Sequence, residues 1–345
     1  MLFPPQGSTE SLKPIDTPPP GTSTANPSQP ATSTANPSQP ADAAQVVPLA
    51  PTLLPVDSST LAVINAKPLW QAGTCGSGQD QLSDPHGISL DGQGNIWVAD
   101  TGNQRMVELN ARGQFLASFG QAGETGGQFH GPFDLVVEKD GSLVVLDSES
   151  PALLKRYSPD GKFISGFGGD LGTYNPRGIG INSSGSFFIA DTGTGRLLQV
   201  ASAGALVHQW KLDIQGDNAR QPVSVTSAAD GSVYVIDAVG GLLLELPANG
   251  SPFAWQAVAP FDTLSGAHLV LGPKNTLYLT DPENKRVVVY QSNGKALGQI
   301  HFPDNQAGML VKPTGITLGT DGTLFVADRV LCRVTAYGLP DDLLK

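Results

Sequence analysis

The chain has 345 residues, 39% of them hydrophobic, which is enough for a sizeable core, and its 41 Gly and 28 Pro exceed what helical bundles use. A net charge of -11 at pH 7 argues against a phosphate backbone or an anionic membrane as partner, so no nucleic acid is expected. No apolar run reaches the roughly 18 residues of a spanning helix. The opening Met1-Leu2-Phe3-Pro4-Pro5 lacks the charged and apolar regions of a signal peptide, so either a processed or excised piece or a cytoplasmic protein is expected.

Residues 1–60 hold thirteen of the prolines and a single aromatic, Phe3, and contain the decamer TSTANPSQPA twice, at 22–31 and 32–41. Proline fixes the backbone without donating a hydrogen bond, and Ser, Thr and Ala offer little to bury, so a semi-stiff spacer or stalk is expected over 1–60. Within it, Ala43 to Val56 is apolar and is the part expected to grip something, either its own folded domain or a partner. The folded domain is expected over 61–345.

From residue 84 onward a phrase returns. An acidic residue closes the second apolar run of each unit, at Asp100, Asp147, Asp191, Asp237, Asp281 and Asp328, in steps of 47, 44, 46, 44 and 47. A period of 40–50 residues means an array of equivalent units. In the first unit, ISL (88–90), IWVA (96–99), RMVELN (105–110) and FLASF (115–119) alternate with Gly and Asn turns, giving four short antiparallel strands. Positive φ is expected at Gly92, Gly141, Gly185, Gly231 and Gly322 in the first turn, with Lys274-Asn275 in the fifth unit. Six such sheets cannot each bury two faces alone, so the expected fold is all-β, a six-bladed propeller of four-stranded antiparallel blades.

The phrase PHGISLDGQGNIWVADTGNQRMVELNARGQFLASFG resembles the NHL repeat family, and the likeness runs over about 280 residues. Members of that family are similar in fold to six-bladed propellers. Units one, three and six match best, while units four and five have drifted.

The sixth unit stops at Lys345 without a fourth strand, leaving a bare edge. PLWQAGTCGSGQDQLSDPH aligns with FLASFGQAGETGGQFHGPF, the fourth strand and exit loop of unit one, so residues 67–74 are expected to complete the last blade. Cys75 then lies just beyond this borrowed strand and Cys332 at the start of the third strand of the same blade. A disulfide between them is expected, closing the ring and implying an oxidising compartment.

The repeated Asp and the Arg or Lys a few residues later (Asp100 and Arg105, Asp191 and Arg196, Asp281 with Lys285 and Arg286, Asp328 and Arg333) read as turn architecture. No GxSxG, HExxH or Walker-type motif is present, so no catalytic residue is assigned. The place left for function is the axial mouth, at the residue after each unit-opening Pro: His86, Phe133, Arg177, Val223, Ala267 and Thr314. Asp134 and His268 sit one residue further on, where period-2 alternation aims them differently. Peptidylglycine-amidating lyases, which this propeller resembles, place Pro-His at this position in several blades to hold a metal, whereas here only Pro85-His86 matches. His86 with His268 lacks a third ligand, so neither a metal nor a cofactor is expected.

The ligand-binding candidates are therefore His86, Phe133, Asp134, Arg177, His268 and Thr314, with loops near 74–84, 120–131, 166–175, 210–221, 256–266 and 301–312 around them. The expected function is a non-catalytic, extracellular or cell-surface recognition module that binds a protein or glycan. One alternative is a structural subunit whose tail docks on another copy of the chain. Another is a metal-dependent lyase or lactonase-like enzyme at the axial mouth.

Overall fold

The computed structural model describes residues 61–344 except 213–219, 250 and 265, together with the backbone of 47–49 and 52–54. The duplicated decamer lies outside the described residues.

Six antiparallel sheets form, in which each strand pairs with the next in sequence. Blade one comprises Pro85–Leu90, Ile96–Asp100, Arg105–Leu109 and Phe115–Phe119; blade two, Pro132–Val137, Leu143–Asp147, Leu154–Tyr157 and Phe163–Phe167. Blade three comprises Gly178–Ile181, Phe187–Asp191, Arg196–Val200 and Leu206–Leu212; blade four, Pro222–Ser227, Val233–Asp237, Leu242–Leu246 and Phe253–Gln256. Blade five comprises Leu269–Gly272, Thr276–Asp281, Arg286–Gln291 and Ala296–Ile300. In blade six Pro313–Leu318, Thr323–Asp328 and Arg333–Gly338 are completed by Lys67–Ala72, which pairs Ala72 with Val334 and Trp70 with Ala336. The first strands of successive blades touch all the way round, including blade six against blade one. The molecule is thus the all-β, six-bladed propeller that the repeat implied, with its last blade shared between the two ends of the domain.

The core lies between blades. Ile88, Val98 and Val107 of blade one pack against Phe325, Val334 and Trp70 of blade six, and the other blade pairs repeat this arrangement. An aromatic residue on the outer strand of one blade also covers the glycine in the second turn of the next. Trp70 lies over Gly113, Phe119 over Gly161 and Phe167 over Gly204, where a Cβ would stand within 2.6 to 3.0 Å of the ring. The glycine is required there both for its positive φ and for this close approach. In the first turn of blade one the residue at positive φ is Gly94 rather than Gly92, because Gly94, whose N–H closes the turn onto the Asp91 carbonyl, holds the position that Gly185 holds against Asn182 in blade three.

The repeated Asp is a staple. Its carboxylate is fully buried in every blade and in five of them accepts backbone N–H groups from the loop leading into its own blade: Ser83 to Asp100, Gly131 to Asp147, Tyr174 to Asp191, Gln221 to Asp237 and Val311 to Asp328. A cation completes it in most blades, as Arg105 at 2.7 Å, Lys155 at 2.6 Å, Arg196 at 2.7 Å, Arg220 at 3.3 Å and Arg286 at 2.8 Å. Lys285 instead pairs with Asp304, and Arg333 donates to the Met309 carbonyl.

Part of the apolar stretch 43–56 folds onto its own propeller. Val47–Leu49 adds a parallel fifth strand beside Leu206–Leu212, and Thr52–Leu54 does the same beside Phe253–Gln256. Val63 then bridges to Gln299 on the outer strand of blade five before the chain enters blade six. This segment therefore straps the outer edges of blades three, four and five in succession, protecting strand edges that would otherwise be open.

Candidate functional site

Strands one and four of each blade are joined to their neighbours at the same end as the turn between strands two and three. That end carries the axial mouth. In four blades a β-bulge follows the opening proline, with register shifts after Pro85, Pro132, Pro222 and Pro313. The inserted residue breaks the two-residue alternation, so consecutive side chains turn toward the axis. Phe133 and Asp134 consequently both face it, which corrects the expectation that Asp134 and His268 are aimed elsewhere.

Two layers result. In the upper one, the buried His86 and Phe133 stack with ring centroids 4.0 Å apart, and the Arg177 guanidinium covers the same Phe133 ring at 4.4 Å. Val223, Ala267 and Thr314, the remaining upper positions, are fully buried. Thr314 is a stitch between blades: its hydroxyl donates to the Pro85 carbonyl at 2.9 Å, as Thr101 does to Pro132 and Thr192 to Pro222.

In the lower layer Asp134 of blade two meets His268 of blade five across the axis, with Nε2 and Oδ2 3.6 Å apart. The Asp134 carboxylate also accepts the Ile179 N–H at 3.0 Å, in blade three. Room for this pair comes from Gly87, where a Cβ would lie 2.2 Å from Asp134 Oδ1.

Three further residues, not singled out by sequence reasoning, close the mouth. Asp84, at φ 48, sits 3.5 Å from His86 Nε2 and 2.7 Å from Arg329 Nε. Arg329 also donates to the Leu264 carbonyl. Gly266, in the loop before blade five, accepts a hydrogen bond from His268 Nδ1 at its carbonyl and lies against His86 and Phe133. The sequence offered one signal for Asp84 and Arg329: each adjoins a repeated landmark, Pro85 and Asp328.

The two histidines are pushed in opposite directions. Burial favours the neutral form of His86, and the positive charge at His268 and Arg329 adds to it, so its pKa falls despite Asp84. Burial also opposes the charged form of His268, but the Asp134 carboxylate and the Gly266 carbonyl outweigh it, and its pKa rises. For Asp84, burial would raise the pKa, but His86 and Arg329 outweigh it and hold the carboxyl low. Burial, with Arg329 as a like charge, lowers the pKa of Arg177, while Glu149 opposes this. Arginine still stays charged.

A metal held in the manner of the amidating lyases does not fit these residues. His268 Nδ1 is bonded to the Gly266 carbonyl, its Nε2 lies 3.6 Å from Asp134, and His86 Nε2 faces Asp84, which leaves His86 Nδ1 and His268 Nε2 as two nitrogens without a hydrogen bond and, among the described residues, no third ligand beside them. Among the described residues no group of three or more His, Cys, Asp or Glu is placed to hold an ion, and three protein ligands are the usual catalytic minimum.

The expected disulfide is present, between Cys75 and Cys332. The aromatic residues near the loops belong to the packing: Trp255 is fully buried against Phe253 and Tyr290, and Trp210 lies against Phe188. No described helix is long and apolar enough to cross a membrane.

Comparison with known proteins bears on this geometry. The NHL repeat matches residues 82–109, the end of the entry loop and the first three strands of blade one. Protein brain tumor of Drosophila melanogaster is 26% identical over 139 residues, covering 40% of this chain and 13% of the relative. Peptidyl-glycine alpha-amidating monooxygenase B of Xenopus laevis is 27% identical over 198 residues, 53% of this chain and 22% of the relative. The chain thus spans less than a quarter of the length of either. Among solved structures, a streptogramin B lyase superposes with a TM-score of 0.56 at 14% identity, covering 79% of this chain and 98% of the lyase, a likeness of fold.

Proposed function

From an NHL-repeat chain folded as a six-bladed propeller, we propose that this protein is a non-catalytic recognition module working outside the cytoplasm, holding a protein or glycan partner on the face around the axial mouth. One observation carries the reading. Tyr174, Val239, Leu264 and Val330 are 64, 42, 55 and 52% exposed, and all four belong to the loops and turns of that one face. Large apolar side chains exposed on the loops of one face of a rigid scaffold suit recognition. The disulfide is in keeping with an oxidising compartment.

The test is binding to panels of extracellular proteins and glycans, comparing the parent with a Tyr174→Ser, Leu264→Ser, Val330→Ser triple variant. Binding should be lost in the triple variant and kept in Leu116→Ser, a change on the outer strand of blade one. Binding that survives the triple variant overturns the reading. Sedimentation of the parent alone separates a foreign partner from another copy of the chain.

A second reading, a lyase working by proton transfer at the same mouth, is favoured by the opposite shifts of His86 and His268, a pattern that suits paired acid and base roles. Stoichiometric zinc or calcium in the purified protein, measured by mass spectrometry, would favour an enzyme and count against the recognition module.

A further inference from the structure

Arg177 differs from the other arginines of the propeller that are not exposed, each of which has an ion pair or, as Arg333 does, a side-chain hydrogen bond, although Arg333 Nε is likewise buried without a partner. Arg105, Lys155, Arg196 and Arg286 are bound to the staple aspartates, and Arg329 is bound to Asp84. Among the described residues the Arg177 guanidinium has neither an ion pair nor a side-chain hydrogen bond, and its Nε is buried without a partner. Leaving a buried donor unpaired costs about 1–3 kcal/mol, more for a charged group. Such a cost persists where a ligand relieves it.

The surroundings say what would relieve it. The guanidinium carbon lies 4.4 Å from the Phe133 ring centroid, so the ring backs it, and among the described residues no group hydrogen-bonds its nitrogens. Two charges act on the guanidinium from nearby, the Glu149 carboxylate and, less strongly, the like charge of Arg329, so an incoming anion is drawn by two cations and resisted by one carboxylate. A planar donor fork held on an aromatic plate matches the two oxygens of a carboxylate. On the loops of the same face the exposed Tyr174 and Leu264 supply apolar surface rather than the array of hydroxyl partners a sugar needs.

We propose that the axial mouth is a binding site for a small monocarboxylate with an apolar body, its carboxylate held by the edge of the Arg177 guanidinium and its body resting among the aromatic and apolar groups of the mouth. This deepens the recognition reading, since it assumes that the axial face is the one that binds. It does not depend on a macromolecular partner being found.

Isothermal titration calorimetry of the full chain with benzoate, acetate, phosphate and glucuronate provides the test. Benzoate should bind at least about tenfold more tightly than acetate or phosphate, and more tightly than glucuronate. Arg177→Lys keeps the charge but loses the fork and should weaken benzoate about tenfold; Arg177→Gln should abolish binding. Because the side chain makes no hydrogen bonds, both variants should melt close to the parent. If Arg177→Gln does not fold, the Arg177→Lys comparison decides alone. Unchanged benzoate affinity in either folded variant overturns the proposal, as does phosphate binding more tightly than benzoate, which would mark a bare cation. Preference for glucuronate overturns the apolar body. Failure of these titrations alongside success of the triple-variant test would leave the recognition face standing and remove only the carboxylate site.

Discussion

Cys75 and Cys332 are bonded with their Cα atoms 4.9 Å apart, although 257 residues separate them in sequence. The bond joins the borrowed strand Lys67–Ala72 to the blade it completes and so locks the ring at its one non-sequential seam. Cross-linking so long a loop restricts the unfolded chain more than the folded one. Cys332→Ser, or reduction, should therefore lower stability by about 2–5 kcal/mol, read as the shift in a urea unfolding midpoint. A change below 0.5 kcal/mol would mean that strand pairing alone holds the seam.

The Lys155–Asp147 pair is the most enclosed of the staples, with the lysine 2% exposed. Removing one partner of a buried pair strands the other charge, at a cost of about 3–5 kcal/mol. Lys155→Met should show that cost in chemical unfolding, and Asp147→Asn with Lys155→Met should recover part of it. A double variant no better than Lys155→Met would show that the carboxylate matters only as an acceptor for the loop amides.

The histidines at the mouth should give the protein opposite pH dependences. For His268, whose folded pKa lies above the ordinary 6.5, the stabilisation is complete below that value and is lost as pH rises through the folded value. For His86, whose folded pKa lies below it, stabilisation is present above 6.5 and is lost as pH falls. Melting curves from pH 5 to 8.5 should accordingly show the gap between parent and His268→Gln narrowing toward alkaline pH. The gap between parent and His86→Gln should narrow toward acid pH. Gaps that stay constant with pH would refute the assignment.

Lys285 adopts φ 54 just before the third strand of blade five, a position held by Gly195 in blade three and Gly241 in blade four. A side chain in that left-handed region costs about 1–2 kcal/mol relative to glycine, part of it offset by the extra freedom glycine brings to the unfolded chain. Lys285→Gly should thus raise stability by about 0.5–1 kcal/mol by differential scanning calorimetry. A loss would mean that its exposed contact with Asp304 outweighs the backbone gain.

The strap makes a local prediction. Removing residues 1–60 should speed amide hydrogen exchange in Leu206–Leu212 and Phe253–Gln256, the strands that Val47–Leu49 and Thr52–Leu54 border, while Phe115–Phe119 and Phe163–Phe167 keep their rates. Uniform change across all outer strands would argue against edge pairing at these two blades.

Much of the architecture could be read from spacing. The recurring Asp counted the blades, because each unit must rebuild the same loop staple to join its neighbour, and the missing fourth strand located the closure at residues 67–74. From that closure the cysteine pairing followed. The axial mouth was legible only in part. Distance from a proline singled out His86, Phe133 and Arg177, which the fold brings together, but it missed the direction of Asp134, since a bulge after Pro132 adds a residue that no local pattern announces. The grip of residues 47–54 on blades three and four also stayed open, because an apolar run says that an edge can be covered without saying which one.

By itself, then, the sequence determined the quantities that recur with every unit: strand count, turn chemistry, the acidic staple and the blade number, all set by interactions within about 47 residues. Tertiary structure alone decided what happens once per molecule on the axis, where Asp134 and His268 arrive from opposite blades and Arg177, resting on Phe133, finds no hydrogen-bond partner for its Nε among the described residues. The reason is physical. Repeated local contacts write themselves as a period, whereas a site assembled across the ring depends on where six separate strands converge, and that convergence leaves no periodic trace in the chain.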